Sequence, residues 1–437
     1  MKQEQAWGYK NVELICGNGD RIASGFISVR DGEIVSLGEM MHYEKSLNLS
    51  DGEGLSIFPG FIDCHTHLTL SGLENPIAHL VNESISSIAL AAAAHARETL
   101  FAGVTTVRDM GGGRLVDVAI RDAVNTGRIM GPRIYAAGLV ICITGGHGWA
   151  VGREADGPDE VRKAVREQIR AGADVIKLMA SGGVNTESTR PDHAQFTVEE
   201  LAAAVDEAHK AGRKVAVHAH ATPAIMNALV AGCDSIEHGV YLNQSAIQLM
   251  ISKGVTLVPT LLAPSQILAS SGARGLPQYA ISKTQALFDA HLKSFKSAYE
   301  EGVAIAMGTD AGTPLNRHGS NLREIALMVG AGMKVMDAII AVTGKAAQLL
   351  GIQDILGTLE VGKQADIVVF RNHPMEDVAR LAEKKNIVQV YKSGQPVLPE
   401  RDELVFQKED AEAITMTSGT FAKIKTESWM HPAQGKV

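Results

Sequence analysis

Short β-branched runs alternate with amphipathic helical stretches through the middle of the chain, the pattern of βα units on a parallel sheet. The strands this pattern predicts are Ile57–Cys64, Val104–Arg108, Arg133–Val140, Asp174–Met179, Lys214–His218, Ser235–Glu237, Thr256–Pro259 and Ala304–Met307. Helices are predicted between them, for example over Pro158–Ala171, Val198–Ala211 and Pro277–Glu301. Gly103, Gly172, Gly212, Gly232 and Gly302 stand where helices should end, since glycine accepts the left-handed position after a last turn. Strand–helix units repeated over about 300 residues fit an α/β protein built as a (β/α)8, TIM-like barrel. An open doubly wound sheet should carry a Gly-rich nucleotide turn after its first strand, and none is there.

The two ends read differently. Residues 10–56 alternate polar and apolar positions around Asn18-Gly19, Asp31-Gly32 and Asp51-Gly52, which predicts short antiparallel strands. Residues 357–398 repeat that pattern around Ala365–Phe370 and Val388–Lys392. Each piece is too short for a core of its own, so the two should pair into one small β-sandwich. The expected organisation is a first sandwich part over 1–57, a barrel over 58–354, a second sandwich part over 355–410 and a polar tail over 411–437.

Composition narrows the function classes. The chain has 437 residues, 45% of them hydrophobic, which excludes disorder. Acidic side chains (49) outnumber basic ones (41), and no basic run is interleaved with aromatics, so nucleic acid is not an expected partner. Apolar stretches such as Ile88–Ala94 are far shorter than the ~20 residues of a membrane span, so no membrane partner is expected. The start lacks the basic end and apolar core of a secretory signal. Cys16, Cys64, Cys142 and Cys233 are isolated, which reads as reduced thiols in a cytoplasmic protein.

The candidate chemistry begins at Asp63-Cys64-His65-Thr66-His67. Residues two apart on a strand face one side, so His65 and His67 would project together, as a metal-ligand pair does. Chance alone supplies about half of one such pair in a chain with this histidine content, and His218 and His220 form a second. The pair gains meaning from the other strand ends. Lys177 lies inside an apolar run, either reaching back to solvent or turned inward at a desolvation cost. His218, Glu237-His238 and Asp310 follow at the ends of the fifth, sixth and eighth predicted strands.

With those residues in place the sequence resembles the amidohydrolase superfamily of metal-dependent hydrolases. The resemblance runs from Pro59–His67 to Gly357–Val368. Within the superfamily it is similar to the zinc-dependent Xaa-Pro dipeptidases (prolidases) and related carboxypeptidase-like members, through Thr144–Gly148, Ser181–Val184, Glu237–Tyr241 and His318–Glu324. The resemblance implies two divalent ions, zinc foremost, held by His65, His67, His218, His238, Asp310 and a Lys177 carbamylated by CO2. It further implies hydrolysis of the amide bond of a dipeptide or N-acyl amino acid by a metal-activated water, with Asp310 as general base and then acid. His220 and His147 are expected at the substrate, His220 also as a catalytic group. Tyr241 is either an oxyanion donor or an ordinary loop tyrosine. Arg190, His193 and Arg317 are positional candidates for binding a substrate carboxylate, whereas His291 and His95 are assigned to packing or the surface. The resemblance also implies self-association into a homo-oligomer. A cyclic-amide hydrolase or a deaminase on the same barrel is the rival reaction, and a non-catalytic relative should have lost ligands that this chain keeps.

Overall fold

A computed structural model describes residues 6–45, 48–270, 272, 275–371 and 373–397. The expected tail over 411–437 and the end of the second sandwich part, 398–410, lie outside the described residues.

Five strands form the amino-terminal portion: β1 (Trp7–Ile15), β2 (Arg21–Arg30), β3 (Glu33–Glu39), β4 (Ser50–Asp51) and β5 (Leu55–Pro59). The β2–β3 hairpin turns on Asp31 and Gly32, both with positive φ (52° and 83°), which matches the strand twist and explains the Asp-Gly pair. Nine strands follow in the middle: β6 (Phe61–Thr66), β7 (Val104–Asp109), β8 (Arg133–Ala136), β9 (Val140–Cys142), β10 (Gly152–Glu154), β11 (Val175–Met179), β12 (Lys214–Ala219), β13 (Ser235–His238) and β14 (Thr256–Val258). Three more, β15 (Ile367–Arg371), β16 (Ile387–Lys392) and β17 (Gln395–Pro396), return to the first group.

The first five strands and the last three meet in one eight-stranded sheet of order β17-β16-β15-β5-β1-β2-β3, with β4 beside β1. β15 runs antiparallel to β5, with Phe370 opposite Ser56. Its apolar face packs Val12, Leu14, Ile27, Val29, Ile57, Ile367 and Val369 into one buried cluster.

The middle strands are all parallel and fall into two ladders, β6-β7-β8 and β10-β9-β11-β12-β13-β14. Backbone hydrogen bonds cross from one ladder to the other. Asp174 N–H donates to the Ala136 carbonyl (2.8 Å), and Cys64 N–H donates to Met307 (2.8 Å). Residues 304–307 also bond to Leu257 of β14, in both directions.

Three predicted strands take a different form in the structure. Ile57–Cys64 divides at Gly60, so that β5 serves the mixed sheet and β6 the parallel one. A Cβ at Gly60 would lie 2.2 Å from the Thr105 hydroxyl, which is why the crossover needs glycine. Arg133–Val140 breaks into β8 and β9 around Gly138, whose φ of 72° cannot continue a strand. Ala304–Met307 forms a single parallel bridge, Ile305 with Leu257, instead of a regular ladder.

The helices Gly157–Ala171, Val198–Lys210 and Gln278–Glu300 stand where the periodicity places them. Thr197 and Glu200 close a capping box on the second, and Gly172 takes the left-handed position after the first (φ 98°). Among the described residues no helix is long and apolar enough to cross a membrane, and all four cysteines are free and buried.

Candidate metal centre

The parallel strands carry their inward side chains to one end of the ladders, where the candidate ligands converge. His65 sits on β6 and His67 one residue past it; Lys177 is on β11, His218 on β12 and His238 ends β13. Asp310 follows the 304–307 segment. His238 and Asp310 both have positive φ (70° and 60°), a left-handed backbone that side chains rarely adopt and that costs about 1–3 kcal/mol each. Such strain is held only where surrounding structure fixes it, and here it turns both side chains toward the cluster.

The contacts are close. Asp310 Oδ1 lies 3.1 Å from His67 Nε2 and 3.5 Å from His65 Nε2. Ligand atoms of His65, His238 and Asp310 all fall within 4.8 Å of one another. Ring centroids of His218 and His238 are 4.7 Å apart, and those of His65 and His238 are 5.0 Å apart. Lys177 is 1% exposed, and its Nζ has no hydrogen-bond partner. Burial lowers its pKa to about 8 against the pull of Glu237 and Asp310. Burial opposes ionisation of Asp310 as well, yet His67, His65 and Lys177 hold its carboxyl down at about 2.

A second layer aims the histidines. His65 Nδ1 donates to Glu237 Oε2 (2.7 Å), which leaves its Nε2 lone pair facing Asp310. Glu237 Oε1 accepts from Arg108 (2.8 Å) and from the Ser235 hydroxyl (2.5 Å), while Arg108 Nε donates to the Cys64 carbonyl (2.6 Å). His67 Nδ1 donates to Gly111 O (2.6 Å), and His238 Nδ1 is fixed by the Thr260 hydroxyl (2.6 Å). Asp63 joins β6 to the segment before Asp310, accepting from the Thr309 hydroxyl (2.6 Å) and from Asn321 (2.7 Å). Such outer partners set which ring nitrogen is free and raise its basicity.

Sequence reasoning named Glu237 as a strand-end acid but missed Arg108, Asp63, Thr260 and Asn321 as supports. A charged residue inside an apolar strand, as at Arg108, was the available signal. Asp109 accepts from Leu68 N–H (2.6 Å) and Gly111 N–H (3.0 Å) and so holds the loops beside His67.

These groups line one cavity of about 550 Å³. His65, His67, Lys177, His218, His238 and Asp310 all face it, and so do His147 and His220. His291, assigned to packing from sequence, lines it too and donates from Nε2 to the His238 carbonyl (3.0 Å). Tyr241 is not among the lining residues; its backbone N–H donates to His220 O. Arg190, His193 and Arg317 are exposed and do not line it either, and Arg190 is paired with Asp192 (2.7 Å). Beyond the cluster the wall is mostly apolar, including Leu70, Ile77, Trp149, Met179, Ile267 and Leu287.

The family model described as the amidohydrolase family matches residues 56–397, most of the chain. The chain belongs to the amidohydrolase family. Ochratoxinase of Aspergillus niger is 34% identical over 414 residues, 87% of this amidohydrolase and 84% of the relative. A solved Xaa-Pro dipeptidase with bound methionine in its active site is 34% identical, covers 90% of this chain and 99% of its own, and superposes with a TM-score of 0.82. A prolidase complexed with N-methylphosphonate-L-proline is 28% identical over 90% of this chain and 100% of its own, with a TM-score of 0.83. This amidohydrolase is accordingly a prolidase-like, metal-dependent enzyme acting on amide bonds. Its donor set fits that chemistry, because imidazoles and a carboxylate around an unpartnered buried amine suit a divalent cation.

Proposed function

We propose that this amidohydrolase hydrolyses the amide bond of dipeptides or N-acyl amino acids, with the Xaa-Pro dipeptidase type as its leading form. The observation that carries the reading is the ring of His65, His67, His218, His238 and Asp310 around the buried, unpartnered Lys177 Nζ. A bare ammonium there is costly, and addition of CO2 to the neutral amine, with loss of one proton, replaces it by a carbamate anion. That carbamate, the four histidines and Asp310 would hold two divalent cations, with zinc favoured by the mixed imidazole and carboxylate donors. When bound, the cations supply polarisation of the amide carbonyl and acidification of a water.

The chain's own groups do the rest. Asp310, whose Oδ1 lies 3.1 Å from His67 Nε2, takes the water's proton and delivers it to the departing nitrogen. His220 and His147 face the same cavity as donors to the substrate, whereas the oxyanion role considered for Tyr241 has no support from its position. The apolar wall favours a hydrophobic group on at least one side of the scissile bond. The two parallel ladders, bonded to each other, are read as one (β/α)8 barrel over 58–354 with the centre at its C-terminal mouth. The end sheet is read as the accompanying β-sandwich.

The test is hydrolysis by zinc-loaded protein of a dipeptide library varied at the C-terminal residue, extended with N-acyl amino acids, with Asp310→Asn as control. Cleavage concentrated on one C-terminal class and lost in the control supports the reading. Cleavage of cyclic amides alone, with both metals bound, would replace it.

A further inference from the structure

The loop after β11 forms one wall of the cavity. Its base is a short hairpin, with Gly182 N–H donating to His193 O (3.0 Å) and Gln195 N–H to Ala180 O (2.7 Å). Its tip, Val184–Ser188, lines the cavity. Flanking the tip, Thr189 returns to Thr186 O through its N–H and its hydroxyl (both 3.2 Å), and Gly183 N–H donates to the Thr189 hydroxyl (3.2 Å). The carbonyls of Gly183, Thr186, Glu187 and Thr189 lie in and beside this tip.

Those carbonyls converge on a single cation. Lys283, on the helix Gln278–Glu300, donates from Nζ to Thr189 O (2.6 Å), Thr186 O (2.7 Å), Glu187 O (3.2 Å) and Gly183 O (3.3 Å). The ammonium also lies 5.4 Å from the centre of the Tyr279 ring, one helical turn back. It makes no ion pair among the described residues and does not line the cavity. Converging carbonyl dipoles repel one another, and a positive charge among them removes that repulsion while satisfying acceptors of which two, on Gly183 and Thr189, belong to buried residues.

The tip in turn holds a group at the site. The Thr186 hydroxyl bonds His147 Nδ1 (2.9 Å) and accepts from Gly148 N–H (3.3 Å). His147 packs so closely on Gly183 that a Cβ there would sit 2.3 Å from Nε2. The His147 ring is 4.6 Å from that of His218, centroid to centroid.

We propose that Lys283 is a positioning residue whose ammonium clamps residues 183–189 through their carbonyls and so fixes, by way of Thr186, where His147 meets the substrate. The clamp itself stands on these contacts, while its effect on turnover rests on the amide-hydrolase reading above. Lys283 acts on substrate fit, not on the proton transfers.

The experiment compares wild type, Lys283→Met, Lys283→Arg and Thr186→Val as zinc-loaded proteins. Limited proteolysis with a glutamyl endopeptidase reports exposure of the Glu187–Ser188 bond, and hydrolysis of Phe-Pro and N-benzoyl-L-phenylalanine reports function. Lys283→Met should speed cleavage after Glu187 about tenfold or more and raise KM about 5- to 20-fold, with kcat within about threefold and zinc content unchanged. Lys283→Arg, which keeps the charge, should recover most of both losses. Thr186→Val should raise KM without speeding cleavage, since it keeps the clamp and loses the link to His147. Cleavage after Glu187 within twofold of wild type in Lys283→Met overturns the clamp. Faster cleavage at every glutamate together with zinc loss overturns it too, because that is general destabilisation. If neither probe is hydrolysed by wild type, the functional reading fails while the proteolysis still decides the clamp.

Discussion

Glu237 is the residue whose replacement most directly tests how the centre is held. Its two oxygens receive three donors: His65 Nδ1 on one, Arg108 and the Ser235 hydroxyl on the other. Glutamine keeps the shape but offers one oxygen and one NH2. If the NH2 faces His65, two donors meet or the ring is forced into the tautomer that protonates Nε2, the nitrogen aimed at Asp310. If it faces Arg108, donors meet there instead, and in either orientation the guanidinium, with 3% of its side chain exposed, loses its counter-charge. Breaking a buried pair on one side costs about 3–5 kcal/mol, and the surviving polar contacts put Glu237→Gln near the lower end, about 3 kcal/mol. Disturbing a partner that orients a ligand histidine lowers metal affinity about 10- to 100-fold. Urea unfolding of the metal-free protein reads the first effect without interference from the second, and zinc titration against a competing chelator reads the second. Metal-free stability within about 0.5 kcal/mol of wild type, with unchanged zinc affinity, would show that this network does not hold the site.

Three further outcomes are expected. Lys177→Ala should lose at least one zinc per chain by elemental analysis, and with it hydrolysis; full metal content and activity would remove Lys177 from the centre. Glu324 accepts from Leu261 N–H (2.7 Å) and Leu262 N–H (2.6 Å), and burial pushes its carboxyl up to about 8 from an ordinary 4.5. The folded state therefore binds the proton more tightly, so stability should fall as pH rises from about 4.5 to 8, by an amount on the order of a few kcal/mol. Glu324→Gln should flatten that slope in urea melts at pH 5 and pH 8, and parallel slopes would refute it. Gly183→Ala should displace His147 and lower kcat/KM about tenfold or more with zinc content intact; unchanged kinetics would mean that His147 does not meet the substrate.

What was legible in the sequence follows from which information is local. Helix limits such as Val198–Lys210 are written in neighbouring residues, Thr197 and Glu200 at one end and Gly212 after the other. The ligand types could be read because parallel strands present them in order at their ends. The breaks at Gly60 and Gly138 were hidden inside runs that look continuous, since the cause of the first is the Thr105 side chain on another strand. The Arg108–Ser235–Glu237–His65 network joins residues brought together only by sheet order. No local pattern announces which charge answers which. Arg190 was a candidate by position only, and sequence could not show that Asp192, two residues on, pairs with its guanidinium at 2.7 Å. His291, assigned with other histidines to packing or the surface, lies on a helix that the fold lays against the cavity, a placement that no neighbouring residue in the sequence signals.

The antiparallel pairing of β5 with β15 has a consequence for how the protein is made. Ser56 meets Phe370 after an intervening stretch of about 300 residues, and closing a loop of that length costs about 5 kcal/mol in chain entropy. On the ribosome, β5 emerges about 300 residues before its partner, so through that interval the edge of β5 and the apolar faces of Ile57 and Phe58 lack the strand that covers them. Nascent chains halted before residue 367 should therefore bind chaperones and resist release, and the final sheet should close only after translation has passed β15. Moving the termini into an exposed loop of the middle segment, with the old ends joined, would bring the two strands together early and relieve that delay.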